Sequence, residues 1–158
     1  DQLQLAPCRI DDLLSELVAQ QPAAHRISVQ LAQDAVALAV QSEGLLLRTV
    51  LGNLLDNAIK YSPADSTVRV MVALAAQEAA PGLARQGVQI DIENAAGRAG
   101  LPDPAQVFDK YYRTPGAHQQ SGSGLGLYIV KALMQRLGAT IDCKPHVGLV
   151  TFVLWLPL

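Results

Sequence analysis

Two asparagines and a run of glycines are the residues whose types and spacing point to chemistry. Asn53 and Asn57 are one helical turn apart, so their amide oxygens can face one metal ion or its water molecules. Gly122, Gly124 and Gly126 come where a helix is predicted to begin, and glycine there exposes backbone N–H groups to phosphate. Taken singly, the asparagines suit a solvated helix face and the glycines a helix cap. Together they suggest a nucleotide site.

Three amphipathic helices are predicted to position these residues. Apolar side chains at helical spacing predict a first helix over residues 10–20. The central helix takes Ser42 as its N-cap and runs to about Tyr61, with an apolar face and the two asparagines at its border. A third helix over residues 124–137 is stopped by Gly138.

Short stretches of apolar and β-branched residues predict the strands. Residues 27–31 and 36–40 are expected to form a hairpin, and the Ala- and Gln-rich residues 76–86 a surface loop. Residues 94–121 lack a pattern apart from a short helix predicted around 104–110, and so long a loop is usually functional. The predicted strands cover residues 3–5, 27–31, 36–40, 67–75, 88–93, 140–144 and 148–156.

This order of elements predicts an α+β fold. Helices alternate with mostly antiparallel strand pairs, which fits a two-layer α/β sandwich: one mixed, mostly antiparallel sheet of about five main strands, covered on one face by three helices. A chain of 158 residues is long enough for one sizeable core, so a single domain over residues 1–158 is expected.

Composition excludes several classes of function. The net charge is −2 and the basic residues are scattered, which argues against a nucleic-acid surface. No apolar stretch approaches the roughly 18 residues of a membrane span, so no direct membrane contact is expected. Cys8 and Cys143 lack the spacing of a disulfide framework or zinc site and are interpreted as buried or idle thiols. The chain begins with Asp1 and lacks a signal-peptide pattern, and we expect it to be a piece of a longer protein.

Three sequence boxes, in the same order, make the chain resemble the catalytic, ATP-binding domain of sensor histidine kinases. Residues 51–62 (LGNLLDNAIKYS) match the N box, residues 107–113 (VFDKYYR) the F box and residues 121–127 (SGSGLGL) the G2 box. The wider GHKL superfamily includes type II topoisomerase, MutL and heat-shock-90 ATPase domains. The resemblance covers nearly the whole chain and implies a Bergerat fold with an ATP lid over about residues 95–121.

The resemblance implies roles for residues in the N and F boxes. In such kinases the N-box asparagines hold a Mg²⁺ ion that bridges the ATP phosphates, a role that falls here on Asn53 and Asn57. Lys60 would add positive charge near the phosphates and Tyr61 would pack along the adenine, although both types also suit a helix C-terminus. Arg113 would neutralise the terminal phosphate or meet a partner domain, although an arginine there also suits a solvated surface. These implied roles make Asn53, Asn57, Lys60 and Arg113 the catalytic candidates.

The remaining implied contacts lie in the lid and the G2 box. Phe108 would anchor the lid to the domain, or act as a core plug under a long loop. The G2 box would present backbone N–H groups, and the hydroxyl of its serine, to the phosphates. Its candidate residues are Gly122, Ser123, Gly124, Leu125, Gly126 and Leu127.

The G1 box, which reads Asp-x-Gly-x-Gly in the family, is altered. Asn94 stands where the aspartate accepts a hydrogen bond from the adenine amino group, Ala96 replaces the first glycine, and Gly100 matches the second only with a shift. An asparagine oxygen still accepts such a bond, but without the charge that strengthens it by about 1 kcal/mol. Glu93 is expected on the opposite face of its strand.

A phosphoacceptor histidine is not predicted within the chain. His25, His118 and His146 lack the acidic neighbour and helical context of the family's acceptor and are interpreted as surface residues. The resemblance therefore implies ATP or ADP as ligand, an acceptor histidine on the parent's own dimerisation domain, and a response-regulator aspartate as the next acceptor. It also implies a cytoplasmic domain whose parent is an inner-membrane sensor.

Two alternatives remain open from the sequence. A degenerate domain that binds a partner or another anionic ligand as a regulatory module is favoured by Asn94 and Ala96. An ATPase clamp of the topoisomerase or MutL kind is disfavoured, because those proteins place a glutamate base one turn before the metal asparagine, where Asn53 stands here.

Overall fold

A computed structural model describes residues 2–98, 100–113 and 124–158. Its helices are α1 (Ile10–Ala19), α2 (Gly44–Tyr61) and α3 (Gly126–Arg136). Its strands are β1 (Ala6–Arg9), β2 (Ile27–Leu31), β3 (Ala39–Ser42), β4 (Val68–Ala80), β5 (Leu83–Ala95), β6 (Thr140–His146) and β7 (Leu149–Pro157). Short 3₁₀ turns occupy Ala24–Arg26 and Gln33–Ala35.

The main sheet has five strands in the order β2-β4-β5-β7-β6. Only β2 and β4 pair in parallel, and the remaining neighbours are antiparallel. The three predicted helices and the α+β fold class are confirmed. A second, two-stranded sheet of β1 and β3 adds to the single sheet expected from the sequence.

One face of the main sheet packs against the helices. Leu14 of α1, Leu51 and Leu55 of α2, and Ile90 and Ile92 of β5 are fully buried in one apolar core. Fully buried residues alternate with half-buried ones along most of β5 and β7, which explains why one face forms the core with the helices. None of the described helices is long and apolar enough to cross a membrane.

The opposite face of the sheet carries the chain's single tryptophan. Trp155 lies across Gly87, where an added Cβ would come within 2.4 Å of the indole ring, and its Nε1 donates to the carbonyl oxygen of Ala75 at 2.9 Å. Because Gly87 has no side chain, the Trp155 side chain of β7 can cross β5 and bond to β4.

The predicted hairpin of residues 27–31 and 36–40 is wrong. The strand at Ile27–Leu31 exists, but it pairs in parallel with β4, whereas β3 pairs with β1. After Leu31 the chain turns through Ala37, which has a φ of 62° and donates its N–H to the Asp11 carboxylate at 3.0 Å. This bond to α1 directs the chain away from β2.

Two further boundaries at the N-terminal side differ from prediction. The first strand is Ala6–Arg9 and not residues 3–5, because the paired register with β3 begins at Ala6. Ser42 is the buried last residue of β3 and does not cap α2. Glu43 is the N-cap, and its carboxylate accepts from the N–H of Leu45 at 3.2 Å.

The predicted surface loop of residues 76–86 is also wrong, because β4 and β5 continue into a long hairpin. Gly82 turns the chain with a φ of 77°, and its N–H donates to the Glu78 carboxylate at 2.8 Å. Paired backbone groups thus override the weak strand propensity of alanine and glutamine.

The short helix predicted around residues 104–110 is replaced by successive turns. The N–H groups of Gln106 and Val107 both donate to the carbonyl of Asp103, but Asp109 bonds to Gln106, so no continuous ladder forms.

Candidate functional site

A cavity of about 260 Å³ opens between the C-terminal half of α2, the end of β5 and the start of α3. It brings together most of the predicted site residues that the structure describes. Its lining residues are Asn57, Ala58, Lys60, Tyr61, Asn94, Ala96, Gly100, Pro102, Val107, Tyr112, Arg113, Gly124, Gly126, Leu127, Val150 and Phe152.

The α2 wall carries three predicted ligand residues because they share one helix face. Asn57, Lys60 and Tyr61 follow the i, i+3, i+4 spacing and all are half-buried. The Lys60 ammonium lies 5.1 Å from the centroid of the Tyr61 ring, which holds the two side chains together. Asn53, one turn earlier, is half-buried but does not line the cavity.

The deepest polar group is the Asn94 side chain near the end of β5, which is 6% exposed. Its Nδ2 donates to the carbonyl of Ala95 at 2.8 Å, and no hydrogen bond from the described residues reaches its Oδ1. A buried acceptor without a donor costs about 1–3 kcal/mol. The site therefore favours a ligand that donates a hydrogen bond at this point.

Glu93 contributes nothing to the cavity, as the strand alternation predicts. Its carboxylate lies 3.8 Å from the Arg69 guanidinium, directly across the β4–β5 ladder on the outer face of the sheet. The negative charge adjacent to Asn94 in sequence is thus kept away from the ligand.

Gly97 does not line the cavity, but it packs against the end of the helix that carries Lys60 and Tyr61, and the sequence boxes did not predict this. An added Cβ would lie 2.4 Å from the carbonyl oxygen of Tyr61, so only glycine lets this segment pack against the end of α2. Its neighbour Ala96 donates to the carbonyl of Gly148 at 2.9 Å, which ties the segment to the β6–β7 turn. The sequence signal that could have predicted this close approach is a lone glycine in an alanine-rich run after a strand. Gly100, with a φ of 76°, lies at the cavity as predicted.

The F-box segment closes another side of the cavity. Phe108 packs edge-on against Phe152, with ring centroids 6.0 Å apart, and the Lys131 ammonium lies 5.3 Å from its ring. Tyr112 lines the cavity, and its hydroxyl accepts from the N–H of Asp103 at 2.9 Å. Phe108 thus fixes the segment to the core while Arg113 reaches the cavity.

The start of α3 meets the F-box segment at Gly124. The N–H of Tyr111 donates to the Gly124 carbonyl at 2.9 Å, and a Cβ on Gly124 would come within 2.8 Å of the Tyr111 Cα. Both residues have positive φ, 75° for Gly124 and 64° for Tyr111. Gly126 and Leu127 line the cavity in the first turn of α3, where free N–H groups attract anions.

Three more residues of the G2 box were predicted to bind the nucleotide: Gly122, Ser123 and Leu125. Leu125 occupies the N-cap position of α3 and does not line the cavity. Gly122 and Ser123 lie outside the described residues.

The charges around the cavity suit a polyanion. Lys60 and Arg113 are lining residues, whereas none of the described lining residues is Asp or Glu. The described part of the chain also holds no group of three or more His, Cys, Asp or Glu side chains that would bind a metal alone. A metal ion here would need neutral amide oxygens and oxygens of the ligand itself, the ligand set that suits Mg²⁺.

Comparison with known proteins gives the family. Residues 42–158 match the family described as histidine kinase-, DNA gyrase B- and HSP90-like ATPases, and the chain belongs to it. Sensor protein IrlS of Burkholderia pseudomallei is 34% identical over 122 residues, which cover 75% of this chain and 24% of that protein. The domain is the ATP-binding catalytic domain of the two-component sensor kinases, which confirms the resemblance seen in the sequence boxes.

Solved structures agree in fold. The mycobacterial sensor histidine kinase MprB matches with a TM-score of 0.72 at 21% identity, covering 98% of this chain and 97% of that one. Full-length ShkA in complex with AMPPNP matches with a TM-score of 0.71 at 24% identity, covering 99% of this chain and 32% of that one. The chain spans about a quarter of the length of the first curated relatives it matches.

Proposed function

We propose that this domain binds ATP with Mg²⁺ in the cavity and, within its parent protein, donates the γ-phosphoryl group to a histidine on the parent's dimerisation helix. A response-regulator aspartate is the next acceptor. The observation that carries the proposal is the placement of Asn94, a buried side chain whose Oδ1 accepts no hydrogen bond from the described residues, in one cavity with two cations and a glycine-lined helix start.

Adenine fits the Asn94 end of the cavity. Its exocyclic amino group would donate to the Asn94 Oδ1, which otherwise has no hydrogen bond from the described residues. The Tyr61 ring would pack along the base, and Val150 and Phe152 add apolar surface to the same cavity. Asparagine in place of aspartate makes this bond weaker and not absent.

Phosphate oxygens fit the part of the cavity that Lys60, Arg113 and the start of α3 line. Lys60 and Arg113 would neutralise their charge, and the backbone N–H groups around Gly124 and Gly126 would donate to them. When bound, Mg²⁺ would supply charge neutralisation between the phosphates, with Asn57 and, one turn back, Asn53 as its protein ligands.

In phosphoryl transfer this domain would position the nucleotide phosphates and would need no general base of its own. The acceptor imidazole nitrogen forms a bond to the γ-phosphorus as the bond from that phosphorus to the β–γ bridging oxygen breaks, and ADP leaves. Lys60 and Arg113 would hold the charge that builds on the departing and equatorial oxygens. In this proposal the domain is cytoplasmic and its parent an inner-membrane sensor.

Nucleotide titration tests the proposal. The purified domain is titrated with AMPPNP at fixed Mg²⁺ by calorimetry, alongside Asn57→Ala, Asn94→Asp and the remote surface variant Arg48→Lys. We expect wild-type binding, a loss of about tenfold or more for Asn57→Ala, a gain of several-fold for Asn94→Asp, and no change for Arg48→Lys. A folded wild-type domain that binds no nucleotide at about 1 mM would refute the proposal.

The second candidate is a regulatory module that keeps the fold and binds a partner or another anion. The altered G1 box favours it, because Asn94 and Ala96, which both line the cavity, stand where the family has aspartate and glycine. Binding of pyrophosphate with no added affinity for the complete nucleotide would support this candidate over the first.

A further inference from the structure

Arg26 makes an unusually dense set of hydrogen bonds just outside the cavity. It ends the 3₁₀ turn before β2, and its guanidinium faces the loop that joins α2 to β4. Nε donates to the Ser66 carbonyl at 3.0 Å, and Nη1 to the Ile59 carbonyl at 3.4 Å. Nη2 donates to the Ser62 hydroxyl and the Pro63 carbonyl, both at 2.6 Å, and to the Ser66 hydroxyl at 3.2 Å.

These bonds satisfy groups that the end of a helix leaves open. The last carbonyls of α2 lack partners within the helix and carry partial negative charge, so a cation is stabilising there. The Ser62 hydroxyl donates to the Ala58 carbonyl at 2.6 Å, and Arg26 bonds both that hydroxyl and the next carbonyl, of Ile59. The planar fork of arginine serves several acceptors at once, which a lysine ammonium does not.

The last turn of α2 is therefore held from two sides. Arg26 binds its C-terminal end, and Gly97, in the segment that follows β5, packs against the Tyr61 carbonyl. Lys60 and Tyr61, which lie in this turn, both line the cavity. A small shift of the turn would move the Lys60 and Tyr61 side chains together, because both belong to the same helical turn.

We propose that Arg26 is a positioning residue for nucleotide binding: it never touches the ligand, but it sets the place of Lys60 and Tyr61. The inference rests on the function proposed above. It predicts that loss of the guanidinium weakens nucleotide binding through Lys60, beyond any effect on folding.

A double-mutant cycle tests this coupling. AMPPNP dissociation constants are measured with Mg²⁺ for wild type, Arg26→Met, Lys60→Met and the double variant, at a temperature where circular dichroism shows each to be folded. Arg26→Met is expected to weaken binding about tenfold in the wild-type background and less than about threefold when Lys60 is already replaced. Arg48→Met is the matched control, since Arg48 lies on the same helix and pairs with Glu16 at the surface.

A conservative variant is the control for a folding defect in Arg26→Met. Arg26→Lys keeps the charge and loses the fork, so it is expected to recover binding only in part. If wild type binds and a folded Arg26→Met or Arg26→Lys variant binds equally well, the inference is wrong while the proposed function stands. Additive effects of Arg26→Met and Lys60→Met on the binding free energy would also overturn it, because Arg26 would then act on binding independently of Lys60. Absence of binding by wild type would overturn the proposed function and the inference with it.

Discussion

Replacing Gly97 by alanine tests whether the G1 segment really packs on the end of α2. The new Cβ would lie 2.4 Å from the Tyr61 carbonyl oxygen, whereas ordinary contact begins at 3.4 Å, so the two segments must move apart by about 1 Å. Gly97 does not have positive φ, so alanine suits its backbone and the cost is steric. Overpacking of this kind costs about 1–3 kcal/mol.

Neither side of this contact yields easily. The Tyr61 carbonyl belongs to the helix end that Arg26 holds, and the Gly97 segment is tied to the β6–β7 turn through Ala96. We therefore expect Gly97→Ala to lower the free energy of unfolding by about 1–3 kcal/mol and to weaken AMPPNP binding, since Lys60 and Tyr61 are displaced.

Urea unfolding followed by circular dichroism measures the first effect and calorimetric titration the second. Gly52→Ala is the control: Gly52 lies inside α2, its added Cβ would have no contact nearer than 3.9 Å, and the helix should gain about 0.5–1 kcal/mol. Unfolding of Gly97→Ala at the wild-type midpoint, with unchanged nucleotide affinity, would refute the close approach.

Three further results are expected. Gly87→Ala pushes a Cβ into the Trp155 indole, so the tryptophan emission should shift to the red and unfolding should become easier by about 1–3 kcal/mol. Burial raises the pKa of the Cys143 thiol to about 11, so at neutral pH Ellman's reagent should modify half-buried Cys8 first and Cys143 only on unfolding. The Asp11 pKa falls from 3.8 to about 2, mainly through the hydrogen bond from the Arg9 guanidinium. The ionised carboxylate therefore stabilises the fold above pH 3.8, and this stabilisation is lost as the pH falls towards 2. Asp11→Asn should reduce the dependence of the melting temperature on pH in that range.

Clear outcomes would contradict each of them. Unchanged emission in Gly87→Ala would mean that the indole does not cross β5. Equal modification rates for the two thiols in the native protein would contradict the burial of Cys143. An Asp11→Asn variant with the wild-type acid profile would show that this carboxylate has the same pKa folded and unfolded.

The helices and the chemistry of the site could be predicted from local pattern. Apolar spacing placed α1, α2 and α3 close to their observed bounds, because one turn of helix reports directly on its own buried face. The same periodicity put Asn57, Lys60 and Tyr61 on one face of α2, where they line the cavity.

Strand partners could not be predicted, because alternation shows which face is buried and not which strand lies alongside. The segment Ile27–Leu31 has the same pattern whether it pairs with β3 or with β4, and the turn through Ala37 decides between them. The β4–β5 hairpin likewise depends on cross-strand bonds and on the turn at Gly82, not on the propensity of its alanines.

The sequence by itself thus determined the family and the types of ligand group, since both reside in residues close together along the chain. Only the tertiary structure decided that Asn94 is buried with no donor to its Oδ1 among the described residues, that Gly97 packs against Tyr61, and that Arg26 holds the end of α2. The physical reason is that burial, close approach and hydrogen bonding between distant segments depend on the distances that the folded chain creates.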